Sequence, residues 1–298
     1  MKYKTGAAFR RALEDRLLAN SIKNRVPLVR LRKMIAFDRF LARLQKSYPN
    51  QWYLKGGYAL QLRLGNKART TVDVDILMFS QQNMLYEILI KAAKTDLEDW
   101  FTFEMEQPAR NPLDEHGGFR ANISSYLDGR RYENFHLDIN VNDLIMDQFE
   151  IISNPDYLSF AEIEPIQFRC YTIAQHFSEK LHAYTRVFNN GISSRVKDIV
   201  DMFLIAQMEN INSLSFRNAC QLTFEHRATH PIPEKLPPPP IEWEKPFKKM
   251  AGDVGIEFTQ VETFQKLELF INPLLKNTDD WIWNPQLWKW EVNKISQL

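Results

Sequence analysis

The sequence predicts an α/β chain in which helices lead into a mixed β-sheet domain and a helical domain follows. Three observations carry this expectation. Between residues 52 and 141, short alternating apolar and polar runs lie among segments of helical spacing. Two of those runs flank Asp128-Gly129, a hairpin signal. From residue 172 onward only helical spacing persists. The expected division is 1–165 for the amino-terminal helices and sheet domain, and 166–298 for the helical domain.

In chain order, residues 6–48 are expected as helices broken near Val26-Pro27, with Leu28, Leu31, Ile35, Phe40, Leu41 and Leu44 at helical spacing. A strand at 52–54 meets Gly56-Gly57, after which Ala59, Leu60 and Leu64 predict a short helix ending near Gly65. The run TVDVDILMF then alternates, with Val72, Val74 and Ile76 on one side and Asp73, Asp75 and Leu77 on the other. It reads as a strand with two carboxylates on one face. Residues 81–97 return to helical spacing, and 100–105 predict another strand. In the second strand of the 119–141 hairpin, Phe135, Leu137, Ile139 and Val141 face the core. Asp138 therefore lies on the polar face between His136 and Asn140.

Beyond 172, two helices are expected. The first carries the stripe Ile173, Phe177, Leu181, Tyr184 and Phe188, with Lys180 at its edge. The second, RVKDIVDMFLIAQM, is apolar nearly all round and should be buried. Asp198 and Asp201 share its less apolar side and need partners such as Lys180, Arg186 or Arg195, either as a structural ion network or as catalytic groups. Residues 229–247, with Pro231, Pro233 and Pro237 to Pro240, predict a stiff extended connector. One more helix is expected over 261–275. Trp281, Trp283, Trp288 and Trp290 should then clamp the tail onto the body; stacking on nucleic-acid bases is the alternative.

A charged fraction of 25% and hydrophobic content of 44% exclude a disordered or membrane-embedded chain, and the cytoplasm is the expected compartment. Cys170 and Cys220 lack metal-type spacing, which argues against a zinc site or a disulfide framework. The net charge of +1 hides an asymmetry. Residues 1–47 carry 13 Lys and Arg against Glu14, Asp15 and Asp38, a net of +10, so the remainder is −9. A basic arm beside an acidic body suits a protein that grips a polyanion, although a solvated helical face gives the same count.

The chemistry is expected around Asp73 and Asp75. Carboxylates at i and i+2 of a strand have Cα atoms roughly 6.5 to 7 Å apart and point the same way, so both can reach one ion. Magnesium takes oxygen ligands and neutralises phosphate charge. Asp138 could complete that ligand set or accept a proton. Gly56-Gly57 lies directly before a helix, where bare backbone can approach a phosphate. Lys55, Arg63, Lys67 and Arg69 supply cations around that turn.

Taken together, KGGYALQLRL, ARTTVDVDI, SEKLHAYTR and RVKDIVDMFLI resemble the AbiEii/AbiGii-type nucleotidyltransferase toxins over residues 50–210. That resemblance implies a polymerase-β-like nucleotidyltransferase domain followed by helices. It assigns nucleotide and metal binding to Gly56, Gly57, Asp73 and Asp75, and active-site roles to Lys180 and to either Asp198 or Asp201. Where the family carries Ser or Thr to touch phosphate, this chain has Tyr58, whose hydroxyl could still donate. The implied function is Mg²⁺-dependent transfer of a nucleotide from a nucleoside triphosphate to an RNA hydroxyl, with tRNA the expected acceptor. It comes with a toxin–antitoxin or phage-defence role and a cognate antitoxin. The competing readings are a nucleotide-binding module without turnover, and transfer to a protein or small molecule.

Overall fold

The computed structural model describes residues 1–106, 118–141, 143, 144, 146, 148–186, 195–276 and 278–293. The chain forms two compact units. The first comprises Met1–Asn66, Thr70–Asp143 and Phe149–Cys170; the second comprises Lys67–Arg69, Leu144–Gln148 and Tyr171–Leu298.

In the first unit, α1 (Gly6–Asn24) begins where the Thr5 hydroxyl accepts from the Ala8 N–H, and ends at Arg25 in the left-handed conformation. Pro27 then sets the entry to α2 (Leu28–Ser47). These helices are not a free basic arm. Phe9, Leu13 and Leu17 of α1 are buried, as are Arg30, Arg39 and Arg43 of α2. Arg43 donates to Asp99 Oδ1 at 2.6 Å and Oδ2 at 3.0 Å, and Arg39 reaches Asp99 and Asp38. The buried guanidinium groups of Arg39 and Arg43 persist because carboxylates of the same unit meet them, and Arg30 donates to the Gly65 carbonyl at 2.9 Å. Of the exposed cations that remain, Lys2, Lys4, Arg11, Arg16, Lys23 and Arg25 lie on α1 and its flanks, and Lys46 lies in the last turn of α2.

The sheet strands follow: β1 (Trp52–Lys55), β2 (Asp73–Met78), β3 (Phe101–Met105), β4 (Phe119–Leu127), β5 (Arg130–Asn140), β6 (Glu150–Ser153) and β7 (Gln167–Cys170). Between them lie α3 (Gly56–Leu64) and α4 (Leu85–Lys94). Their spatial order is β3-β4-β5-β2-β1-β7-β6. Strand β2 runs antiparallel to β1 and parallel to β5, which makes the sheet mixed as expected. Val74, Ile76, Leu137 and Ile139 join the core with Phe37, Phe40 and Leu41 of α2. The opposite face of β2 is thereby left to its acids. The short strands β6 and β7 were not expected from the sequence, since four residues are too few to establish a period.

The second unit contains α5 (Ile173–Thr185), α6 (Val196–Met208), α7 (Ser213–Arg227), α8 (Glu244–Val254), α9 (Gln260–Lys276), β8 (Trp281–Asn284) and β9 (Lys289–Val292). Phe188, expected on the stripe of α5, lies outside the described residues. Two expectations are corrected. The connector gives way to α8 at residue 244, because Pro246 sits in the first helical turn, where its missing N–H costs nothing. Strands also do not vanish after 172. The tail pairs as a hairpin, turned at Asn284, whose side chain accepts from the N–H groups of Gln286 and Leu287. Trp283 is fully buried against Phe270, Trp288 and Trp290. The indole N–H groups of Trp283, Trp288 and Trp290 donate to backbone carbonyls of Ala206, Lys266 and Phe270. Trp283, Trp288 and Trp290 clamp the tail down by packing and N–H bonds.

Candidate active site

The alternation of β2 buries Val74 and Ile76 and leaves Asp73 and Asp75 half-buried on the other face. Register then aligns a row of charges across four strands. Asp75 lies opposite Lys55 of β1 on one side and Asp138 of β5 on the other, and Asp138 lies opposite Arg120 of β4. Directly opposed residues share a face, so the row reads Arg120, Asp138, Asp75, Lys55, with Asp73 and His136 as the neighbouring pair. His136 Nδ1 stands 2.9 Å from Asp73 Oδ1; since a carboxylate only accepts, Nδ1 is the donor. Arg120 grips Asp138 in a two-pronged contact, 2.7 Å for each bond.

The glycine turn closes on this row. Strand β1 ends at Lys55 and α3 starts at Gly56, whose φ is +66°. A Cβ at Gly56 would collide with the Asp75 carboxylate. Only glycine satisfies both the backbone conformation and this close approach.

Two of the cations expected around the turn, Lys55 and Arg63, already have partners. Lys55 is buried and pairs with Asp143, and Arg63 donates to Glu150 of β6. Tyr58 requires a correction: it is fully buried, packs edge-on against Phe37 at 4.9 Å, and donates to Asn154 Oδ1 at 3.2 Å. Its hydroxyl faces the core and is not offered to a phosphate.

Within the second unit, Lys180 of α5 reaches Asp201 at 2.9 Å and Asp198 at 3.2 Å, both on α6. Arg69 makes two bonds to Asp201, at 2.9 and 3.1 Å. Arg195 stands 3.5 Å from Asp198. Burial opposes the charge of Lys180, but Asp201 and Asp198 hold its pKa above the usual lysine value. Burial likewise opposes ionisation of Asp201, and Lys180 and Arg69 overcome it, so its pKa falls below the usual carboxylate value. Asp198 Oδ2 is buried with no hydrogen-bond partner among the described residues. The expected partnership of Lys180 with both acids is thus present, and Arg69 joins it.

Missing from the sequence reading were Arg120, His136 and Asp143. His136 could have been found, because alternation places it on the same face as Asp138. Arg120 and Asp143 could not, since cross-strand register and loop return are invisible in a single sequence.

Comparison with known proteins decides the family. The family described as nucleotidyl transferase AbiEii toxin, type IV toxin–antitoxin system, matches residues 39–267. This chain belongs to the AbiEii family. It is a nucleotidyltransferase toxin of a type IV toxin–antitoxin system, which implies a nucleoside triphosphate substrate and an antitoxin partner. Among solved structures it is similar to MenT4, a nucleotidyltransferase toxin from Mycobacterium tuberculosis H37Rv, at 15% identity and a TM-score of 0.55 over 86% of each chain. It is also similar to JHP933 from Helicobacter pylori, at 13% identity and a TM-score of 0.45 over 82% of this chain and 92% of that one. The likeness to MenT4 is one of fold. No curated protein matches the chain. Among the described residues, no helix of this AbiEii chain is long and apolar enough to cross a membrane.

Nucleotidyltransferases of this kind generally use a divalent metal. The donor chemistry of the acid row fits one: Asp73, Asp75 and Asp138 offer hard carboxylate oxygens on adjacent strands, and bare Gly56 leaves room only for the Asp75 carboxylate beside it. Among the described residues, however, no three metal-binding side chains already converge as a cage.

Proposed function

We propose that this chain transfers a nucleotidyl group from a nucleoside triphosphate to an RNA hydroxyl, with tRNA as the acceptor and Mg²⁺ held by Asp73 and Asp75. The observation that carries the reading is the acid row in register on β2 and β5, closed by a glycine turn that tolerates no side chain. When bound, Mg²⁺ would neutralise the triphosphate and the charge developing at phosphorus. The remaining work falls to the chain. His136 donates to Asp73 and fixes its orientation, as partners of metal-binding carboxylates do. The start of α3 offers backbone N–H groups to phosphate. Asp138 either completes the oxygen set or takes the proton of the attacking hydroxyl, once Arg120 releases it. The hydroxyl attacks the α-phosphorus in line and pyrophosphate leaves, so positioning and charge neutralisation supply most of the acceleration.

The roles of Lys180, Asp198 and Asp201 are proposed within their own unit. Lys180 joins α5 to α6 through both acids, and Asp201, held by two cations, serves as the anchor. Of the two acids, Asp198, with one oxygen lacking a hydrogen bond among the described residues, is the one proposed to carry a functional role within that unit.

The test is to incubate the protein with each of the four α-labelled triphosphates, Mg²⁺ and total RNA. Label should enter RNA with the wild type and fall by about a thousandfold with Asp73→Ala, the scale of losing several kcal/mol of charge stabilisation. Equal labelling by the variant would overturn the assignment. Label on protein alone would favour the other acceptor, and binding without transfer would favour the module without turnover.

A further inference from the structure

Arg120 is the cation of the charged row that is both firmly held and solvent-exposed. Lys55, at the other end, is buried against Asp143, whereas the Arg120 side chain is 45% exposed. Its guanidinium makes two 2.7 Å bonds to Asp138, the acid directly opposite Asp75. Asp138 holds the pKa of Arg120 up most strongly, and Asp73 and Asp75 add to it, so the cation answers to all three acids. No three metal-binding groups stand ready as a cage among the described residues, and the Arg120 fork accounts for Asp138.

We propose that Arg120 is a displaceable counter-ion: it occupies Asp138 in the cation-free enzyme, yields it to an entering divalent ion, and then receives the phosphates of the nucleotide. A planar guanidinium suits both partners, since carboxylate and phosphate present similarly spaced oxygens. Cation entry and nucleotide capture are coupled through this one side chain. The inference rests on the acid row being the metal and nucleotide site.

The experiment is titration of Mn²⁺ alone into the full chain, followed by electron paramagnetic resonance, for wild type, Arg120→Ala, Arg120→Lys and Asp75→Asn. Melting in EDTA verifies that each variant is folded. Freeing a carboxylate from an exposed two-pronged pair should tighten Mn²⁺ binding of Arg120→Ala by roughly threefold to tenfold, with Arg120→Lys in between. At saturating Mn²⁺, a triphosphate analogue with a methylene bridge between its α and β phosphorus atoms should bind Arg120→Ala about tenfold more weakly, the loss of one charge-assisted contact. Mn²⁺ affinity of Arg120→Ala equal to or weaker than wild type, with binding still abolished in Asp75→Asn, overturns the role of Arg120 and leaves the site intact. Mn²⁺ binding that survives Asp75→Asn instead sinks the site itself.

Discussion

Gly56 and Tyr58 show how two nearby residues of one turn do opposite jobs. Gly56 combines a left-handed backbone with contact to the Asp75 carboxylate, so Gly56→Ala meets two penalties. The backbone alone should cost about 1 to 2 kcal/mol, and the displaced carboxylate should remove most transfer activity. Denaturant melts and labelled-nucleotide assays of the same preparation measure both. Wild-type activity in Gly56→Ala would show that Asp75 is not placed by this contact. Tyr58, by contrast, belongs to the core: its phenol continues into Asn154 and Asp38, and burial followed by the nearby Asp38 charge raises its pKa. Tyr58→Phe should therefore cost about 1 to 2 kcal/mol of stability through the unsatisfied amide it leaves behind. The KM for nucleotide should stay at the wild-type value. A rise in that KM without loss of stability would return Tyr58 to the phosphate site.

At the level of elements, α5 illustrates a pH-dependent seam. His182 lies buried against Phe224 and against His230, whose ring centroid is 4.6 Å away, and its Nε2 is 2.9 Å from the Thr229 hydroxyl. Burial, then the His230 and arginine charges around it, pushes its pKa down to about 4 from 6.5. The folded state therefore binds this proton less readily than the unfolded state. The associated stability is complete above pH 6.5 and is lost as pH falls towards 4, by up to roughly 3 kcal/mol. Urea unfolding at pH 7 and pH 5 should show the drop in the wild type and a smaller one in His182→Gln. An identical drop in both would remove His182 as its source.

Across the whole molecule, the polarity of charge is the feature most relevant to an RNA acceptor. The first 47 residues carry a net +10 and the rest −9, yet the fold withdraws part of the positive charge into ion pairs and leaves most of the accessible share on α1 and its flanks. Deleting residues 1–47 would strip Phe9, Phe37 and Phe40 from the core, so charge reversal is the cleaner probe. The triple variant Arg11→Glu, Arg16→Glu and Lys23→Glu should lose RNA labelling at moderate salt while keeping its affinity for nucleotide. Its slope of log activity against log salt should become shallower by about two, following counterion release at the lost phosphate contacts. An unchanged slope would exclude α1 from RNA binding.

How much of this was legible beforehand depends on the range of the interaction. Local periodicity was enough for α1, α2, α5, α6, the 119–141 hairpin and the acid-bearing strand, because helix and strand periods are written in neighbouring residues. It also placed Asp73, Asp75 and Asp138 on polar faces. It failed at α8, where a first-turn proline looked like a connector, and at the tail hairpin, whose strands are only four residues long. What only tertiary structure decided was pairing: that Asp138 sits beside Asp75, that Arg120 holds Asp138, that Tyr58 turns inward, and that Arg69 binds Asp201. Register and long-range ion pairs depend on residues tens to more than a hundred positions apart. The free energy that selects them comes from burying one face of the sheet as a whole, and no short window of sequence contains it.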